Sequence, residues 1–343
     1  MGKMTLAALP AMALVSPWQA ARLRAQSAKP SSRFAGVTVG LNVPYSFRNQ
    51  LPGTSDDILR ICADIGVSAV ELRLQPIENH LGSPAPYPQG TARAGGAGAG
   101  AGGGNRGAAG GGGRGAPAPP TPEQIAADKA AADDLRRWRL ALPMARVEQL
   151  KKQYDDAGVT IDVVKIDPFD SIWTLSEDEI SYFFAVGKAL GARGLSCELL
   201  DYSMVATKLL GSYAEAHRLP VAYHGHGQSA ADFRRAMAYS KYNWANIDLG
   251  HYVAANGISP LPFITEIHDR ITHVHVKDRK MHNGPNMPFG QGDTPIKAVL
   301  QAIRDKKWPI AAVIEYEYPV PEGSTVLAEL KRSVAYCRDC LVG

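Results

Sequence analysis

The chain has 343 residues, enough for one large domain or two. Its 45% hydrophobic and 20% charged residues are the mix of a globular protein, not of a disordered or fibrous one. A net charge of +4 with no dominant Lys/Arg run gives no reason to expect nucleic acid as a partner, and four cysteines (Cys62, Cys197, Cys337, Cys340) are too few for a disulfide scaffold.

The first 28 residues are expected to lie outside the fold. Lys3 precedes an apolar stretch, Thr5 to Val15, that is too short to span a bilayer, and small residues near Ala25 to Ala28 suit cleavage. This reads as a secretory signal-like segment over 1–28, which would make the protein exported and periplasmic, with no membrane attachment after its removal. A single domain is expected over 34–343. Val37 to Asn42 is a strand, Thr54 to Ile65 a helix closed by Gly66, and Ala69 to Arg73 a strand. From about 90 to 120 the chain is almost entirely Gly, Ala, Pro and Arg. Such a segment cannot bury enough apolar surface to offset its ordering entropy, so a disordered insertion is expected there. Its GxGxxG matches, such as Gly98, Gly100 and Gly103, follow no strand and open no amphipathic helix, and carry no nucleotide reading.

Helices are then predicted over 121–140 and 143–156, the first with Pro122 at its opening position. Strands over 159–166, 194–199, 220–224, 245–249, 271–276 and 310–315 alternate with helices over 177–190, 203–217, 230–239, 259–269, 295–306 and 324–340. Strict strand–helix alternation implies a parallel sheet, and eight such units in this length predict a closed (β/α)8 TIM barrel rather than an open doubly wound sheet. Cys337 and Cys340 have CxxC spacing but sit in the last helix, where incidental thiols or a local disulfide are expected.

In a barrel of this kind function gathers at the C-terminal strand ends. Those ends carry Glu71, Glu198, His224 and His226, Asp248 and His251, His275 and Lys277, and Glu315 and Glu317. In Ile271-Thr-His-Val-His-Val-Lys-Asp278, the residues His273, His275 and Lys277 alternate and so share one strand face. Carboxylates and imidazoles converging in one mouth repel or desolvate unless a cation holds them. One divalent metal ion, Mn, Co, Mg or Zn, is therefore expected as cofactor.

The chain resembles the xylose-isomerase-like TIM-barrel superfamily of sugar isomerases and epimerases, nearest its inosose-dehydratase-like branch. The residues that carry the resemblance are Val70-Glu-Leu-Arg73, Asp156-Ala-Gly-Val159, Tyr223-His-Gly-His226, Asp248-Leu-Gly-His251, His273-Val-His-Val-Lys-Asp278 and Ile314-Glu-Tyr-Glu317. It implies a metal held by Asp248, His275 and Glu315. The family's remaining glutamate is His224 in this chain, so the fourth ligand is either His224 or Glu198. His251 and Lys277 match positions that contact substrate, and His226 is expected to face it. Glu71 is expected to meet either substrate or Arg73 or Arg48, and Glu317 either substrate or a histidine that backs the metal site. Tyr45, Phe47, Trp173 and Tyr202 are candidates for a sugar-pocket floor, with core or loop packing expected for most of them.

A metal chelated by a carbonyl and its neighbouring hydroxyl acidifies the C–H between them. Removal of that proton gives a metal-stabilised enediolate, from which isomerisation, epimerisation or elimination of a β-substituent can follow. The expected function is a divalent-metal-dependent isomerase/epimerase or dehydratase/lyase acting on a sugar, keto-sugar or cyclitol. Glu198 or Glu315 is expected to pair with His224, His226 or His251 in proton transfer, with Lys277 alongside. Export favours an unphosphorylated carbohydrate substrate. The alternatives are a catalytically inactive carbohydrate-binding barrel and an endonuclease-type barrel with several zinc ions. Oligomeric state, including a homo-oligomer, is left open by the sequence.

Overall fold

The computed structural model describes residues 29–84, 121–166, 175–199 and 204–343. The signal-like segment, the glycine-rich insertion, Trp173 and Tyr202 lie outside the described residues. Parallel strands β2 (Val37–Val43), β3 (Ala69–Arg73), β4 (Thr160–Lys165), β5 (Gly194–Glu198), β6 (Val221–His224), β7 (Asn243–Asp248), β8 (Ile271–Val276) and β11 (Ala311–Ile314) pair in sequence, and a further β2–β3 pairing closes them into a barrel. The fold is the predicted (β/α)8 TIM barrel. A short strand β1 (Arg33–Phe34) runs antiparallel to the start of β2.

The strands are buried on both faces, which is why they read as near-continuous apolar runs such as VTVGLNV and AAVI. Their polar exceptions, among them Glu71, Lys165, His224, Asp248, His273 and His275, are equally buried. Helices α1 (Ser55–Ile65), α2 (Leu74–His80), α3 (Pro122–Ala141), α4 (Met144–Ala157), α5 (Glu177–Ala189), α6 (Val205–His217), α7 (Ala230–Met237), α8 (Leu249–Asn256), α9 (Leu261–Ile267), α10 (Ile296–Lys306) and α11 (Val326–Val342) wrap the outside. Their ends obey local chemistry. Thr54 caps α1 by accepting from the Asp57 N–H, Gly66 closes it at φ 78°, and Ser176 with Glu179 forms a capping box on α5.

Short elements differ from the sequence expectation. Helices α2 and α8 and the hairpin of β9 (Asp278–Arg279) with β10 (Asn286–Met287) were not foreseen, and the helix expected over 259–269 is α9 followed by a 3-10 turn at His268–Arg270. Helix α8 follows β7 without a linker. Asp248 ends the strand and caps the helix, its carboxylate accepting the His251 N–H at 2.7 Å. No helix among the described residues is long and apolar enough to cross a membrane. All four cysteines are buried free thiols.

Register sets the height of each site residue. Glu198 pairs with His224, and His224 with Asn246. Asp248, two residues beyond Asn246, pairs with His275. His275 in turn pairs with Val313, which leaves Glu315 just past the end of β11. The stagger of a tilted barrel thus brings alternate residues of successive strands to one level.

Candidate active site

His224, Asp248, His275 and Glu315, from neighbouring strands, each offer one donor atom, and those atoms all lie within 4.8 Å of one another. His275 Nδ1 is 3.0 Å from Glu315 Oε2 and 3.9 Å from Asp248 Oδ2. His224 Nε2 is 3.5 Å from Asp248 Oδ2 and 3.8 Å from Glu315 Oε2. All four residues are buried. Two imidazoles and two carboxylates aimed at one point can hold a divalent cation.

The far nitrogen of each imidazole meets another carboxylate. His224 Nδ1 is 2.8 Å from Glu198 Oε2, and the other oxygen of Glu198 accepts from Lys165 Nζ at 2.6 Å. His275 Nε2 is 2.6 Å from Glu71 Oε2, while Ser196 Oγ donates to Glu71 Oε1 and His273 Nε2 lies 3.4 Å from it. Carboxylates in this position fix ring orientation and raise basicity. Burial opposes the charge on His275, but Glu315 and Glu71 overcome it and bring its pKa to about 10. His224 is likewise raised despite burial, by Glu198 first. Burial also opposes ionisation of Glu71 and Glu198, yet the imidazoles beside them hold both well below the usual carboxylate range.

Lys277 supplies the central positive charge. Its Nζ lies 3.2 Å from Asp248, 2.9 Å from Glu315 and 2.8 Å from Glu317, with its side chain 2% exposed. Burial alone would strip its proton; these three carboxylates hold its pKa well above that of an ordinary lysine. Asn42 Nδ2 donates to the remaining oxygen of Glu315 at 3.2 Å.

Above the cluster stand His226, His251 and Glu317. His226 has a half-exposed side chain, and its Nε2 is 3.4 Å from Glu198. Desolvation at the mouth and the neighbouring His224 lower its pKa. Burial and the Lys277 ammonium push His251 down to about 3. Glu317 accepts from the Tyr45 hydroxyl and from Asn286 Nδ2 at 3.2 Å, and His251 Nε2 is 3.9 Å away. Gly250 explains the spacing of Asp248-Leu-Gly-His251. A Cβ there would sit 2.9 Å from both Cγ and the carbonyl oxygen of Lys277, so only glycine lets α8 start against that segment.

The sequence-predicted residues therefore converge, with corrections. Of the five candidate ligands, four form the cluster, while Glu198 stands behind His224 and joins His224 and His226 in a second set of donors that could hold an ion. Glu71, offered to substrate or to an arginine, lies instead beneath the cluster, 0% exposed, against Ser196, His273 and His275. Phe47 is core, as expected for most of these aromatics, whereas the Tyr45 hydroxyl reaches Glu317. Lys165, Arg279, Asn42 and Ser196 were missed. Lys165 had a signal, a lone cation closing the buried run Val163-Val164-Lys165.

Residues 197–340 match the family described as xylose isomerase-like TIM barrel. The matched span, somewhat under half of the chain, holds every residue of the four-donor cluster. No curated protein is similar enough in sequence to match. Among solved structures, a xylose isomerase domain protein from Alicyclobacillus acidocaldarius is similar at TM-score 0.56 and 13% identity, covering 89% of this chain and 99% of that one. The 3-keto-D-glucoside 4-epimerase of E. coli is similar at TM-score 0.53 and 12% identity, covering 89% and 100%. A probable 3-DHS dehydratase involved in petrobactin synthesis from Bacillus anthracis is similar at TM-score 0.54 and 10% identity, covering 87% and 97%. At these identities the likeness is one of fold.

Proposed function

We propose that this protein is a divalent-metal-dependent sugar isomerase, epimerase or dehydratase/lyase working at the mouth of the barrel. The observation that carries the reading is the four-donor cluster whose two imidazoles each rest on a further carboxylate. The donor set fits the ion. His224, Asp248, His275 and Glu315 would hold it, and paired imidazoles favour Mn, Co or Zn over Mg. The chemistry a bound cation supplies is Lewis-acid polarisation of a carbonyl and its neighbouring hydroxyl. The fold is shared with an epimerase and a probable dehydratase, which supports a carbohydrate or related polyol as substrate.

His226 is the residue proposed to move the substrate proton. Its ring reaches the mouth, its depressed pKa leaves it as free base at neutral pH, and Glu198 lies 3.4 Å from one of its nitrogens. Lys277 and Glu317 bind substrate hydroxyls beside it. Return of the proton to another carbon or face gives isomerisation or epimerisation, and departure of a β-hydroxyl gives dehydration. The signal-like N-terminus supports export and an unphosphorylated substrate.

The test is incubation of the metal-reconstituted protein with unphosphorylated keto-sugars in D2O. Deuterium entering the carbon beside the carbonyl, abolished in His226→Gln and by chelation, is the expected result. Tight carbohydrate binding with no exchange in any metal form would leave a binding barrel instead.

A further inference from the structure

Arg279 lies on β9, the short strand that follows Lys277. Its Nε and Nη2 donate to the Gly284 carbonyl at 3.1 and 2.7 Å, and its Nη1 is 2.8 Å from His251 Nδ1. The residue is 9% exposed, so the guanidinium is held by these partners and not by solvent. An arginine side chain has donors only and keeps its proton in proteins. The nitrogen facing it must therefore accept, and a nitrogen that accepts carries no hydrogen. The ring hydrogen of His251 then sits on Nε2, the nitrogen turned toward Glu317 at 3.9 Å.

We infer that Arg279 is a positioning residue that fixes His251 as the neutral Nε2–H tautomer, so that this ring donates a hydrogen bond to a substrate oxygen instead of accepting the substrate proton. Nε2 is already protonated and cannot take a proton. Protonation of Nδ1 would set an N–H against the guanidinium. Among the histidines that sequence offers for proton transfer, His251 is thereby removed, which strengthens the case for His226. A neutral imidazole aimed at an oxygen that gains charge in the transition state stabilises that charge without itself changing protonation. The backbone of His251 is fixed as well, because its N–H donates to Asp248 Oδ1 at 2.7 Å, which sets where the side chain leaves α8. The catalytic role rests on the proposed sugar-enzyme reading, whereas the tautomer is a property of the free protein and needs no substrate.

The experiment is 15N NMR of histidine ring nitrogens in the full protein, with His251 assigned by loss of its signals in His251→Gln. The wild type should show an unprotonated Nδ1 and a protonated Nε2 at this ring. Arg279→Met should mix the tautomers, and on any substrate turned over kcat should fall about tenfold to a hundredfold with KM nearly unchanged, partly rescued by Arg279→Lys. A protonated Nδ1 or an imidazolium in the wild type overturns the inference, even if Arg279→Met does not fold. So does a folded Arg279→Met with unaltered ring signals. Absence of turnover with the expected ring signals would count against the sugar-enzyme reading and leave the tautomer assignment standing.

Discussion

Glu71 Oε2 lies 2.6 Å from His275 Nε2, on the opposite side of the imidazole from Glu315. The two residues belong to β3 and β8 and meet across the barrel interior, not along neighbouring strands. Glu71→Gln keeps the shape of this contact and removes its charge. The ring keeps an acceptor at Nε2 but loses the negative charge that makes Nδ1 a better ligand. Affinity for a divalent ion is expected to fall about 10- to 100-fold, measured by competition with a chromogenic chelator. Unchanged affinity would mean that Glu71 serves folding alone.

Lys277 neutralises the same Asp248 and Glu315 carboxylates that would bind a cation, together with Glu317. Removing one partner of a buried ionic group leaves the others uncompensated. In Lys277→Met, metal-free protein should lose about 3–5 kcal/mol of stability. Added Mn²⁺ should then raise the melting temperature more than it does in the wild type, because the ion restores the missing charge. Equal melting of the two proteins in chelator would show that Lys277 is not the counter-ion of the cluster.

Metal uptake should depend on pH through His275. In the metal-free protein its pKa is raised to about 10, so the ring is an imidazolium at neutral pH. A raised folded-state pKa contributes stability that is complete below the unfolded value of about 6.5 and is lost as pH rises through the folded one. Ligation needs the free base, so binding must expel that proton. Affinity should rise with pH from neutrality toward 10, and calorimetry in buffers of different ionisation enthalpy should register proton release. Uptake with no proton released at pH 7 would contradict the imidazolium assignment.

The barrel was legible because eight buried strands leave a continuous apolar signature and the helices between them carry ordinary caps. Asp248, His275 and Glu315 were legible because a charge ending such a strand has few other reasons to be there. Depth was not legible. Glu71 and Glu198 look alike in sequence, yet register and stagger set the first beneath the cluster and the second behind His224. Helix α8 was hidden because a strand residue, Asp248, doubles as its cap, leaving no loop to mark the boundary. Arg279 was hidden because the hairpin that orients it is two residues per strand, too short for any periodicity.

Gly250 turns that hidden boundary into a measurable constraint. A methyl group there would meet Lys277 Cγ and the Lys277 carbonyl oxygen at 2.9 Å, and Arg279 Cγ at 3.1 Å. The carbonyl belongs to backbone leaving β8 and cannot swing aside as a side-chain end could. Gly250→Ala should therefore destabilise by about 1–3 kcal/mol through overpacking, read as a lowered midpoint in urea. It should also push Lys277 and Arg279 away from their partners, so metal affinity and the His251 ring signals should change together. Gly257→Ala is the comparison: that glycine caps α8 at φ 66° with nothing within 4 Å of where a Cβ would lie, so its cost should come from backbone strain and leave the site unaltered. A Gly250→Ala protein with wild-type stability and metal affinity would show that α8 and the Lys277–Arg279 segment are not packed as tightly as this contact requires.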